Sequence, residues 1–133
     1  MSDSIIYKKS FDFAVKTVNL YKFLCQKNEY ILSKQLLKSG TSIGANINEA
    51  VAAQSKKDFI HKMAIANKEA RETKYWIELL IATNYIQGNS SLMIKSDIDE
   101  IIKILTSIIK TSQENLTHNS KLKTHNHLTP LVV

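Results

Sequence analysis

Apolar residues recur along this chain at steps of three and four, the spacing of amphipathic helices, and they divide it into four segments. The first covers about 10–26, with Ser10 as candidate N-cap. Phe11, Ala14, Val15, Val18, Tyr21 and Cys25 are predicted on its buried face, which Phe13, Leu20 and Leu24 widen. So broad an apolar arc is excessive for a lone surface helix. The second helix covers about 31–53, with Leu32, Leu36, Ile43, Ile47 and Val51 as its stripe. The third, 56–86, opens after Ser55, which forms a variant capping box with Asp58. Phe59, Met63, Ala66, Ala70, Thr73, Ile77, Leu80 and Ile81 carry its period. Gly88 to Ser91 supply a turn, and the fourth helix, about 91–117, places Ile94, Ile98, Ile101, Leu105, Ile108 and Ser112 on a heptad seam. The isoleucine-rich 101–109 resembles a strand locally, but the seam outlasts it, and Asp97, Asp99 and Glu100 near the N-terminus complement a helix dipole. Short loops between four helices predict an all-α, antiparallel up-and-down four-helix bundle over residues 1–117.

The second helix carries the densest local signal. Ser39, Gly40, Thr41, Ser42, Gly44 and Ala45 thin out the space between its large apolar residues. A glycine inside a helix costs about 1 kcal/mol relative to alanine, so two of them predict a compensating gain from close backbone approach. On this reading Gly44→Leu disrupts packing or assembly.

The 133 residues fit one domain, and three Gly with one Pro leave little material for turns. No long apolar run and no basic leader followed by an apolar stretch are present, so a cytoplasmic protein is expected, without a membrane span. Cys25 is the single cysteine and reads as a buried structural thiol. From His118 the helical stripe stops, and 118–133 is expected to be a mobile tail. Its His118, His125 and His127 match no zinc spacing, so no metal site and no cofactor are expected.

A net charge of +6 and a pI near 9.4 raise the question of an anionic partner. Residues 1–38 hold seven lysines against three acids. Lys8, Lys9, Lys16, Lys22, Lys27, Lys34 and Lys38 are therefore candidate nucleic-acid contacts that would attract phosphate without reading bases. Arg71 is the sole arginine, so the bidentate fork that reads guanine is nearly absent. The plainer alternative is a lysine surface that only solvates the fold.

Catalysis finds little support. A di-iron bundle needs Glu-x-x-His on two helices, whereas the bundle offers His61 alone, preceded at three residues by Asp58. Glu69 and Glu72 are interleaved with Lys68, Arg71 and Lys74, as in exposed ion pairing. No Ser/His/Asp set can be assigned, the Gly40–Gly44 stretch lacks the Gly-Lys-Ser/Thr ending of a phosphate loop, and Arg71 is not followed by the histidine of helical RNases.

Three segments, FDFAVKTVNLYKFL at 11–24, SGTSIGANINEA at 39–50 and KDFIHKMAIANKEARETKYWIELL at 57–80, closely resemble a bacterial four-helix-bundle family. It includes proteins encoded by intervening sequences of 23S ribosomal RNA genes. The resemblance spans about residues 8–115 and implies a protomer that assembles into a ring-like homopentamer. A related branch, the accessory variability protein of diversity-generating retroelements, is a basic pentamer that binds reverse transcriptase and nucleic acid. Ser39, Thr41, Ser42, Ile43, Gly44, Asn46 and Glu49 match the second-helix signature, and Asp58, Phe59, Lys62, Ala66, Lys68, Glu69, Ala70, Glu72, Thr73, Tyr75 and Trp76 match the third. Of these, Ser39, Thr41, Ser42, Gly44, Asn46, Glu49, Tyr75 and Trp76 are the candidates for helix packing or an oligomer interface. Lys38 stands where the family pattern has Arg, and Asn67 where it has Leu. The expectation is a noncatalytic oligomer that binds nucleic acid, or a nucleic-acid-associated partner such as a reverse transcriptase. The rival is a structural or protein-interaction oligomer with no nucleic-acid role.

Overall fold

Why the chain turns where it does is written in two asparagines and one glutamate. The computed structural model describes the backbone of residues 2–132 and the side chains of 5–118. It comprises helices α1 (Ser2–Gln26), α2 (Leu32–Val51), α3 (Lys56–Ala82) and α4 (Gly88–Val132). No strand occurs among the described residues. After α1, Asn28 adopts φ 64°, and the Glu29 amide donates to the Leu24 carbonyl at 3.0 Å, a Schellman closure. After α3, Asn84 repeats this at φ 65°, with the Tyr85 amide donating to Leu80 O at 3.0 Å. Asparagine tolerates the left-handed conformation in place of glycine, so α3 stops at Ala82 rather than at 86.

Glu29 then starts α2. Its carboxylate accepts the amides of Ile31 (3.1 Å), Leu32 (3.0 Å) and Ser33 (2.6 Å), and Ser33 Oγ returns a bond to Glu29 O at 2.8 Å. Burial opposes the ionised form, but the amides of Leu32, Ser33 and Ile31 outweigh it and hold the carboxyl below the usual range. At the start of α3, Ser55 Oγ accepts the Asp58 amide at 3.0 Å, the cap expected there.

Each helix packs on its neighbours in the chain, and α1 closes more lightly on α4, the adjacency of an up-and-down bundle. Ile6, Phe13, Leu24, Leu36, Ile43, Ile47, Met63, Ile77 and Leu80 form the core with the α4 seam. Ile94, Ile98, Ile101, Leu105, Ile108 and Ser112 are all buried, as their heptad spacing predicts. The two internal glycines permit the α1–α2 approach: a Cβ on Gly40 would lie 2.7 Å from Thr17 Cγ2, and one on Gly44 would lie 3.4 Å from Ser10 O. Ser39 Oγ lies 2.9 Å from Thr73 Oγ1 in a buried hydroxyl pair joining α2 to α3.

Three expectations are corrected. Helix α1 begins at Ser2 and not near residue 10, so Ser10 is a buried mid-helix residue facing Gly44 and not a cap. The face of α1 assigned to the core is only partly right: Phe13 and Leu24 are buried as expected, but Phe11 is 62% exposed and Val15 47%, while Ile6 and Thr17, which were not assigned to it, are inside. The arc is centred away from Phe11 and Val15 because α1 approaches α2 closely, with Thr17 and Ser10 facing Gly40 and Gly44. Finally, the α4 backbone is helical through Val132, past the helix end expected at residue 117. Helix propagation needs only one further bond per residue, and neither Gly nor Pro intervenes between Gly88 and Pro130. The side chains of 119–132, including His125 and His127, lie outside those described.

Candidate functional site

The seven candidate lysines separate into two groups. Lys8 pairs with Asp12 of its own helix at 2.9 Å, while Lys9 and Lys16 reach across to Glu100 (2.9 Å) and Asp97 (2.6 Å) of α4. Their charge is compensated within the protomer, although such exposed pairs add little stability. Lys22, Lys27, Lys34 and Lys38 have no ion-pair partner among the described residues. Lys22 lies in the last turns of α1, Lys27 in the turn that follows, and Lys34 and Lys38 in the first half of α2, all toward the α1–α2 end of the bundle. Among the acids on the elements meeting there, Glu29 is held by amides, Asp97 by Lys16 and Glu78 by Lys95 at 3.7 Å. Lys27 Nζ lies 4.8 Å from the centroid of the Phe23 ring, a cation–π contact.

Beside this end, α1 and α4 part to leave an apolar groove of 390 Å³. Leu20 and Phe23 from α1 and Ile86, Met93 and Ile94 from the α4 side provide its apolar surface. Asn19, Gln87 and Ser90 supply polar groups, and the Lys16–Asp97 pair borders it. Sequence reading missed this groove, since no local pattern links residue 23 to residue 93.

The packing candidates fall into distinct roles. Ser39 and Gly44 serve contacts inside the protomer, and Gly40, with the closer approach, belongs with them. Thr41 donates to Leu37 O at 2.7 Å, and Asn46 Nδ2 to Ser42 O at 2.9 Å and Ser42 Oγ at 3.1 Å, all within α2. Glu49 accepts from Lys62 of α3 at 2.7 Å, which raises the lysine pKa. Trp76 donates to Glu72 Oε2 at 3.2 Å and meets Tyr75 edge-on, with centroids 5.1 Å apart. Trp76 is half-buried as expected of an aromatic with a polar tip, whereas Tyr75 is exposed. The misassigned face of α1 is a further surface: Tyr7, Phe11 and Val15, at i, i+4 and i+8, form an exposed apolar stripe. Cys25 is half-buried, and hydrogen bonding to it pushes the Tyr21 phenol up.

No group of three or more His, Cys, Asp or Glu able to hold a metal occurs among the described residues, and no helix there is long and apolar enough to cross a membrane. The fold and these surfaces define a basic helical-bundle protein with a cationic end and a solvent-facing apolar stripe. Residues 2–107 match the model of the 23S rRNA-intervening sequence protein family, and the chain belongs to that family. It is similar to a crystal structure from Bacteroides thetaiotaomicron, described as a protein with unknown function from the S23 ribosomal protein family. The two share 57% identity with a TM-score of 0.80, over 83% of this chain and 99% of that one. No curated protein matches the chain.

Proposed function

We propose that this chain is a noncatalytic, oligomeric bundle that binds nucleic acid, or a partner carrying it, through charge. The observation that supports this reading is the group Lys22, Lys27, Lys34 and Lys38, left without carboxylate partners at one end of the fold. Uncompensated ammonium groups attract phosphate and release its counterions, with no base preference. A second copy of the chain covers the Tyr7, Phe11 and Val15 stripe, and the ring-like homopentamer implied by the resemblance repeats the cationic end around an axis. Compensation of Lys8, Lys9 and Lys16 favours the rival, a protein-interaction oligomer, for that part of α1.

The test is a titration of labelled RNA and DNA over a range of salt, with subunit number read by light scattering. A steep fall in log affinity with log salt, weakened by charge removal at Lys22, Lys27, Lys34 and Lys38 and not at Lys8, supports the reading. No affinity even at low salt leaves the protein-interaction oligomer.

A further inference from the structure

We propose that the groove between α1 and α4 receives an unstacked base of single-stranded nucleic acid, with Lys27 at its edge holding the backbone. The inference rests on the nucleic-acid reading above and adds a place, a strandedness and an aromatic contact to it.

Three observations converge on one end of the bundle. The groove, at 390 Å³, has small-molecule dimensions and an apolar surface from Leu20, Phe23, Ile86, Met93 and Ile94. Phe23 is 42% exposed and Met93 60%, so both are reachable by a ligand. Asn19, Gln87 and Ser90 offer donors and acceptors suited to the edge of a heterocycle. The uncompensated charge at the groove is Lys27, which lies over the lining Phe23 and has no carboxylate partner among the described residues, while the two lining charges, Lys16 and Asp97, pair with each other. An occupant must therefore combine a flat apolar part with a negative backbone. A nucleotide strand does so, and its bases enter the groove only where they are unpaired, because a duplex keeps them stacked inside. Lys27 over Phe23 already joins the two elements of such a site, an aromatic surface and a cation.

Fluorescence anisotropy with a labelled twelve-nucleotide single strand, and with the same sequence as duplex, tests this in wild type, Phe23→Ala, Lys27→Gln and His61→Ala. Photo-crosslinking of a bromouridine-substituted strand maps the contact. Stacking on one aromatic predicts that Phe23→Ala weakens single-strand binding about 5- to 150-fold with an unchanged salt slope. Lys27→Gln should instead lower that slope by about 0.7. His61→Ala, at an exposed ring on α3, should bind as wild type, and crosslinks should fall on Phe23 or Met93. Wild-type binding that is indifferent to Phe23→Ala, or equally tight for duplex, or crosslinked only to α2 overturns the groove proposal while leaving the lysine surface standing. Absence of binding by wild type at low salt removes both readings together.

Discussion

Replacing Glu29 tests whether one buried carboxylate holds the first hairpin of the bundle. The residue is 7% exposed, and its oxygens accept the amides of Ile31, Leu32 and Ser33, three of the donors that a helix start leaves without partners. Loss of a cap costs about 0.5–2 kcal/mol, and each hydrogen bond to a charged group about 1.5–3 kcal/mol. These bonds share one acceptor and do not add, and exposed Tyr30 and Ile31 let water reach part of the vacated site. Glu29→Ala should therefore destabilise by about 2–3 kcal/mol, and Glu29→Gln, which keeps an acceptor without the charge, by about 1 kcal/mol. The pH dependence gives a second readout. Burial works against the ionised carboxyl, yet the three amides bring its folded pKa below the unfolded value. The stabilisation is thus complete above the unfolded pKa, near 4.5, and is lost as pH falls through the folded one. Urea unfolding followed by far-ultraviolet circular dichroism, at one protein concentration, measures both effects. The gap between wild type and Glu29→Gln should be full at pH 7 and narrow below about pH 4. Glu29→Ala within about 0.5 kcal/mol of wild type, or a gap that widens in acid, would refute the capping role.

The two glycines of α2 should respond oppositely. A methyl at Gly40 meets Thr17 at 2.7 Å, so Gly40→Ala should lose about 1–3 kcal/mol, whereas Gly44→Ala, with its nearest neighbour at 3.4 Å, should be neutral or gain up to about 1 kcal/mol by helix propensity; urea midpoints decide. Asn67 Oδ1 is buried without a partner, and its amide reaches Thr106 only at 3.4 Å. Asn67→Leu should stabilise by about 1 kcal/mol, and a lower midpoint would show that this polar contact matters more than its geometry indicates. Phe11→Asp, at a site 62% exposed, should leave the helical signal intact and reduce the mass seen by light scattering; an unchanged mass excludes this stripe as the contact between copies.

What could be read from sequence was whatever depends on neighbours along one helix. The α4 seam and the Ser55 cap are of this kind, because spacing alone brings their partners together. Close approach at α2 was equally legible from its glycines, though not which of the two is tighter, since that depends on Thr17 and Ser10 of another helix. The first turn was placed between 26 and 31, but the second was placed late, at Gly88 to Ser91, which open α4, because Asn84 rather than glycine takes the left-handed position; the Glu29 cap went unread because no apolar period points to it.

Helix α1 shows why the surface was harder to read than the core. It carries two apolar arcs, and only contact with α2 decides which is inside: the arc with Ser10 and Thr17 fits against glycine, which leaves Phe11 and Val15 in solvent. A rule that ranks faces by hydrophobicity selects the wrong arc whenever close packing recruits small hydroxyl residues. The lysines pose the same problem in charge. Lys9 and Lys16 are compensated by acids 91 and 81 residues away, so a count along residues 1–38 overstates the positive field of α1 and conceals its concentration at the opposite end of the helix. If nucleic acid is the partner, substitutions at Lys22, Lys27, Lys34 and Lys38 must change the salt slope more than those at Lys9 and Lys16, although the sequence alone assigns all six the same role.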